Sequence, residues 1–105
     1  MFIKYDEAEL FEFFESEPVV IGEEEAGDWV YTYQKDDFKI VLLLSTYEMY
    51  IKISICYCEN IVYTEMFREI IQINKLNNNT LKISKNEKSI LVKKETQIGV
   101  IVEEN

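Results

Sequence analysis

Apolar residues recur at every second position from Phe38 to Leu44 and again from Met49 to Tyr57. Alternate side chains of a strand share a face, which groups Phe38, Ile40, Leu42 and Leu44, and then Met49, Ile51, Ile53, Ile55 and Tyr57. A reversal at Thr46 and Tyr47 sets Leu44 opposite Met49, Leu42 opposite Ile51, Ile40 opposite Ile53 and Phe38 opposite Ile55. A slip of one residue would oppose these side chains to Glu48, Tyr50, Lys52 and Ser54, so the pattern selects the parity of the pairing. Ser-Thr-Tyr-Glu lacks the Gly or Asn of a primed two-residue turn, and a four-residue loop of the same parity satisfies the pattern equally. Val41, Leu43, Tyr50 and Cys56 on the opposite face call for partial cover, for which the N-terminal helix is the candidate.

That helix starts at Asp6, a good N-cap, with Glu9 completing a capping-box pattern and Tyr5 placed to staple against Leu10. Leu10, Phe13 and Phe14 form its apolar face with Phe11 at the edge, and Glu17-Pro18 stops it after about Ser16. A short apolar run, Val19 to Ile21, precedes a glycine-bounded loop, Gly22 to Gly27. Trp29, Tyr31 and Tyr33 alternate with polar or smaller residues as a strand, and Lys35-Asp36-Asp37 turns the chain into the central hairpin. Glu59-Asn60 is a further reversal before a strand at 61–65. The segment 66–76 fits a helical stripe through Met66, Phe67, Ile70 and Ile71, but a turn at 66–68 and a strand at 69–75 fit better. Strands at 80–84, 89–94 and 97–103 follow, separated by turns at 77–79 and 85–88. The expectation is one α+β domain over residues 1–105, its N-terminal helix packed on a mostly antiparallel, meander-like sheet of about eight strands.

At 105 residues, 48% hydrophobic with three Gly and one Pro, the chain is long enough for one core without staples. Its longest aliphatic run, Ile40 to Leu44, is far too short to cross a bilayer, and Asp6, Glu7 and Glu9 stand where a leader would carry bases. A soluble cytoplasmic protein without membrane contact is expected. Cys56 and Cys58 are adjacent same-face strand positions that do not readily meet disulfide geometry, so reduced thiols are expected. With no His and no other Cys, a zinc site lacks ligands, and no metal or cofactor is anticipated.

The net charge of −9 is unevenly placed. Residues 1–28 hold ten carboxylates (Asp6, Glu7, Glu9, Glu12, Glu15, Glu17, Glu23, Glu24, Glu25, Asp28) against Lys4 alone, whereas residues 29–105 hold ten acids and ten bases. Such a lobe attracts cationic partners and speeds association with them, an effect that salt weakens. The same acids also suit the solvated face of an amphipathic helix and a soluble loop. Three consecutive glutamates are denser than solubility requires, which favours a role in binding. Direct nucleic-acid binding is disfavoured by the balanced bases, and the Trp29-Tyr31-Tyr33 row reads as core before it reads as a contact face.

Without His there is no Ser-His or Cys-His dyad, and no Gly-rich phosphate loop or calcium-loop spacing is present. Asp36-Asp37 reads as a solvated turn, Cys56 has no activating neighbour in sequence, and a non-catalytic protein is expected. In size, acidity, lack of catalytic motifs and helix-then-meander layout, the whole chain resembles the small cytoplasmic immunity proteins that bacteria pair with polymorphic toxins. The resemblance implies an inhibitor that neutralises a cognate toxin by covering its active site or locking its fold. Many such toxins are basic nucleases, which makes Glu12, Glu15, Glu23, Glu24, Glu25 and Asp28 the expected contact residues for a basic partner. Two other readings fit the same features. One is a DNA-mimicking phage-type inhibitor of a nucleic-acid enzyme. The other is a structural domain whose edge strand, Gln97 to Glu103, pairs with a second copy, leaving monomer and homodimer both open.

Overall fold

A computed structural model describes residues 1–94 and 98–104. Its elements are α1 (Glu7–Phe14), β1 (Val19–Val20), a single 3-10 turn (Glu24–Ala26), β2 (Asp28–Lys35), β3 (Phe38–Ser45), β4 (Tyr50–Tyr57), β5 (Asn60–Phe67), β6 (Gln72–Asn77), β7 (Thr80–Ser84), β8 (Lys88–Lys94) and β9 (Ile98–Glu104). The chain is α+β, with the N-terminal helix on antiparallel strands as its pattern predicts. The meander is divided between two sheets, ordered β1-β2-β3-β4-β5 and β6-β7-β8-β9.

The central hairpin takes the four-residue loop: Ser45 pairs with Tyr50, so Leu44 faces Ile51, Leu42 faces Ile53, Ile40 faces Ile55 and Phe38 faces Tyr57. The tight reversal at Thr46-Tyr47 would have set each of these two residues out of place while keeping the face. Met49 closes the loop at φ 58°, held by an Ile70 N–H donated to its carbonyl at 2.9 Å. The next reversal is Cys58-Glu59, both left-handed at φ 50° and 67°, which places Asn60 at the start of β5. Cys58 therefore lies in a turn beyond β4, not on the strand with Cys56, and both thiols are free. β5 extends to Phe67, past the turn expected at 66–68, and the chain crosses to β6 through Arg68 to Ile71. Of the expected last strand, Gln97 lies outside the described residues.

The helix is also shorter than expected. The Asp6 side chain accepts from the Ala8 amide at 2.8 Å, as an N-cap should, but Glu9 does not close a capping box. Its Oε1 instead accepts the Lys75 N–H at 2.8 Å, satisfying an outward-pointing donor on edge strand β6. Glu15, left-handed at φ 56°, ends the helix before Glu17-Pro18 can. Residues 3 and 4 cover the rest of that edge. The Lys4 N–H donates to the Ile71 carbonyl at 3.0 Å, the Ile73 N–H to the Lys4 carbonyl at 2.9 Å, and Ile3 bonds back to Thr46 at 2.9 Å.

One core joins both sheets. Ile40, Leu42, Leu44, Ile51 and Ile53 line the first, Ile73, Leu81, Ile83, Ile90 and Val92 line the second, and Leu10, Phe13 and Phe14 enter from the helix. Phe14 lies 5.3 Å from the Tyr31 ring, and Tyr31 pairs with Leu42. The helix therefore covers the inward face of the first sheet, not the face of Val41, Leu43, Tyr50 and Cys56. Those four stay half-buried among cross-strand neighbours such as Val30, Thr32, Lys39 and Lys52, whose stems shield apolar surface without a further layer. Tyr31 and Tyr33 are core and Trp29 packs against it, as the row's first reading predicted.

Candidate partner-binding site

The six acids expected to form a contact surface divide into two groups. Glu12 Oε2 accepts from Lys75 Nζ at 2.7 Å and Glu15 Oε2 from Lys94 Nζ at 2.9 Å, so the outer helix acids are joined to the second sheet. Asp28, half-buried at the start of β2, accepts the Ser45 hydroxyl at 2.7 Å. These three carboxylates hold the fold together as well as adding charge. Glu23, Glu24 and Glu25 are fully turned to solvent on the 3-10 turn, with no side-chain ion pair among the described residues. Three adjacent carboxylates repel one another, and the fold presents them together because the turn is closed by the Ala26 N–H donated to the Glu23 carbonyl at 3.0 Å and tied at Gly27.

At its far end Gly27 caps the turn at φ 75°, its N–H donating to the Glu24 carbonyl at 3.2 Å while its own carbonyl accepts the Thr46 N–H at 2.9 Å. A Cβ at Gly27 would stand 2.8 Å from the Tyr47 ring. Tyr47 is 60% exposed and can swing aside, whereas the buried Thr46 Cβ at 3.2 Å must give slightly, so Gly27→Ala carries the left-handed backbone penalty of about 1–2 kcal/mol and some crowding besides. Urea unfolding should register that loss, and an unchanged midpoint would mean that the turn is not held as described.

Between α1 and β2 lies a cleft of about 460 Å³. Tyr5, Phe11, Trp29 and Tyr31 supply aromatic surface and Glu7 and Glu17 supply carboxylates. Each of these residues was visible in the sequence in another role: Trp29 and Tyr31 as an alternating row, Phe11 at the edge of the helix face, Tyr5 as a staple, and Glu7 and Glu17 among the lobe's carboxylates. Burial pushes the Tyr31 hydroxyl far above the ordinary tyrosine range, with Tyr5 and Glu7 adding to the effect, so it stays protonated.

Among the described residues no group of three or more His, Cys, Asp or Glu side chains is placed to hold a metal ion, and no helix is long and apolar enough to cross a membrane. No protein-family model matches the chain, and no curated protein does. A solved structure does: a chain in a contact-dependent growth inhibition toxin–immunity protein complex from Klebsiella pneumoniae 342 superposes with a TM-score of 0.83 at 21% sequence identity, over 98% of this chain and 98% of that one. The helix-first, two-sheet α+β arrangement is thus a fold that this chain shares with a component of a toxin–immunity complex.

Proposed function

We propose that the chain is a non-catalytic immunity-type protein that binds and neutralises a cognate toxin in the cytoplasm of a bacterium. The observation that carries this reading is the end-to-end likeness to a chain of a toxin–immunity complex. Such a complex has two kinds of chain, and the charge here favours the inhibitor: −9 overall, with no histidine for general-base chemistry. An acidic surface suits a basic toxin, and Glu23 to Glu25 are its most available part. Glu12, Glu15 and Asp28 have internal partners that must be shared or given up if they join it.

Affinity capture with the tagged full chain from native lysate, eluted by a salt step, tests the reading. One basic partner at near-equal stoichiometry, toxic when expressed alone and harmless when co-expressed with this chain, is the expected result. A partner whose toxicity is unchanged by co-expression would sink it. Reversing Glu23, Glu24 and Glu25 to lysine should slow association about tenfold or more at low salt and flatten its salt dependence. Glu12→Gln should change association less, because Lys75 already screens that carboxylate.

A second reading retains one specific observation. β9 is an edge strand with Ile101 and Val102 42% and 47% exposed, a geometry suited to pairing with a second copy. Light scattering across a concentration series separates a monomer from that homodimer.

A further inference from the structure

The cleft between α1 and β2 is not explained by the acidic turn. Its volume, about 460 Å³, lies in the range of small-ligand sites, and its walls combine two features. Four aromatic rings line it, and two exposed carboxylates, Glu7 and Glu17, stand on opposite borders, one on the first turn of α1 and one after its end. Phe11 is 49% exposed at the rim, a large apolar surface for the protein to leave in water. Tyr31, 2% exposed overall, is the most deeply set of the four rings.

These features select the ligand class. Ring faces attract cations and carboxylates pair with them. A guanidinium meets both: it is flat, weakly hydrated and able to stack on a ring while its N–H groups bond in plane. Glu7 and Ala8 lie in the first turn of α1, where the helix dipole opposes a cation, and the carboxylates of Asp6, Glu7 and Glu9 offset it there. We propose that this cleft receives an arginine side chain of the protein partner, the guanidinium lying among Tyr5, Phe11, Trp29 and Tyr31 with Glu7 and Glu17 closing on its edges. The proposal rests on the partner-binding reading above and adds an anchor to it: the acidic turn steers the partner, and the cleft fixes its register.

Trp29 is the only tryptophan in the chain, so its emission reports on the cleft directly. Titration of the intact protein with N-acetyl-arginine amide should give a saturable change in that emission in the millimolar range. N-acetyl-citrulline amide, which keeps the shape and loses the charge, should bind about fivefold or more weakly. The Glu7→Gln/Glu17→Gln variant should lose arginine response by a similar factor, as should Phe11→Ala, while Glu59→Gln in the distant β4–β5 turn should not. Circular dichroism establishes that each variant is folded. Equal responses to arginine and citrulline, no saturable change with arginine, or an unaltered response in the double variant would each overturn the cleft. The outcomes also separate the two proposals. Arginine binding without any toxin partner keeps the site and removes the immunity reading. A toxin held with full affinity by a double variant blind to arginine keeps that reading and removes the site.

Discussion

Replacing Phe13 by alanine should destabilise the protein by about 3–5 kcal/mol, a large share of the 5–15 kcal/mol typical of a domain. Phe13 is fully buried, its ring meets Phe14 edge-on at 5.0 Å, and the Lys94 ammonium lies 4.8 Å above it. It is thus in contact with the helix, with a residue of the second sheet, and through Phe14 with Tyr31 of the first. Because two sheets and a helix meet there, no single element can collapse into the space without dragging another out of register, which places the cost toward the upper part of the range. A urea midpoint lowered by about 2 M or more is expected. A loss under about 1 kcal/mol would show that the sheets hold one another without the helix.

Lys94→Ala should cost about 2–3 kcal/mol, large for a charged residue. Lys94 is 6% exposed, and its Nζ donates to the Phe13 carbonyl and to Glu15, with the Phe13 and Tyr33 rings at 4.8 and 4.6 Å. The ion pair is the weakest of these contacts, since the Glu15 side chain is 63% exposed and its charge is screened by water. The carbonyl bond matters more. Phe13 lies in the last turn of α1, where carbonyls have no helical partner, and a cation there also complements the helix dipole. Lys94→Met keeps the stem and loses only the polar contacts, so it should recover part of the stability. If raising salt to screening levels removed most of the difference between wild type and Lys94→Ala, the ion pair would be dominant and the carbonyl account wrong.

The strand faces were legible because the core is made by alternation: Ile40, Leu42 and Leu44 are apolar every second residue, and each is buried in the structure. Turn geometry was less so. A left-handed Met49 carries no local signal, because what holds it is the Ile70 amide arriving from far along the chain. The division into two sheets was hidden for a related reason. Ile70 and Ile71 read as strand, yet the first is buried at the crossing and the second donates its amide to Ser84 and accepts from Lys4. For the acids, charge and position were readable and availability was not. Glu12, Glu15 and Asp28 are separated by 63, 79 and 17 residues from the Lys75, Lys94 and Ser45 that engage them. Only Glu23 to Glu25, bounded by Gly22 and Gly27, announced their exposure locally.

The covering of β6 by residues 3 and 4 bears on how the chain is synthesised. When the chain has emerged from the ribosome as far as Phe67, every strand of the first sheet is out, but neither Ile71 and Ile73, which receive Lys4, nor Lys94 for the end of the helix. The nascent half must hold Ile40, Leu42, Ile51 and Ile53 as an open apolar wall, with the earliest residues waiting for the latest. Such a protein has no finished half. A fragment ending at Phe67 is expected to give poorly dispersed amide NMR signals, whereas the full chain folds only when its final strands have left the exit tunnel.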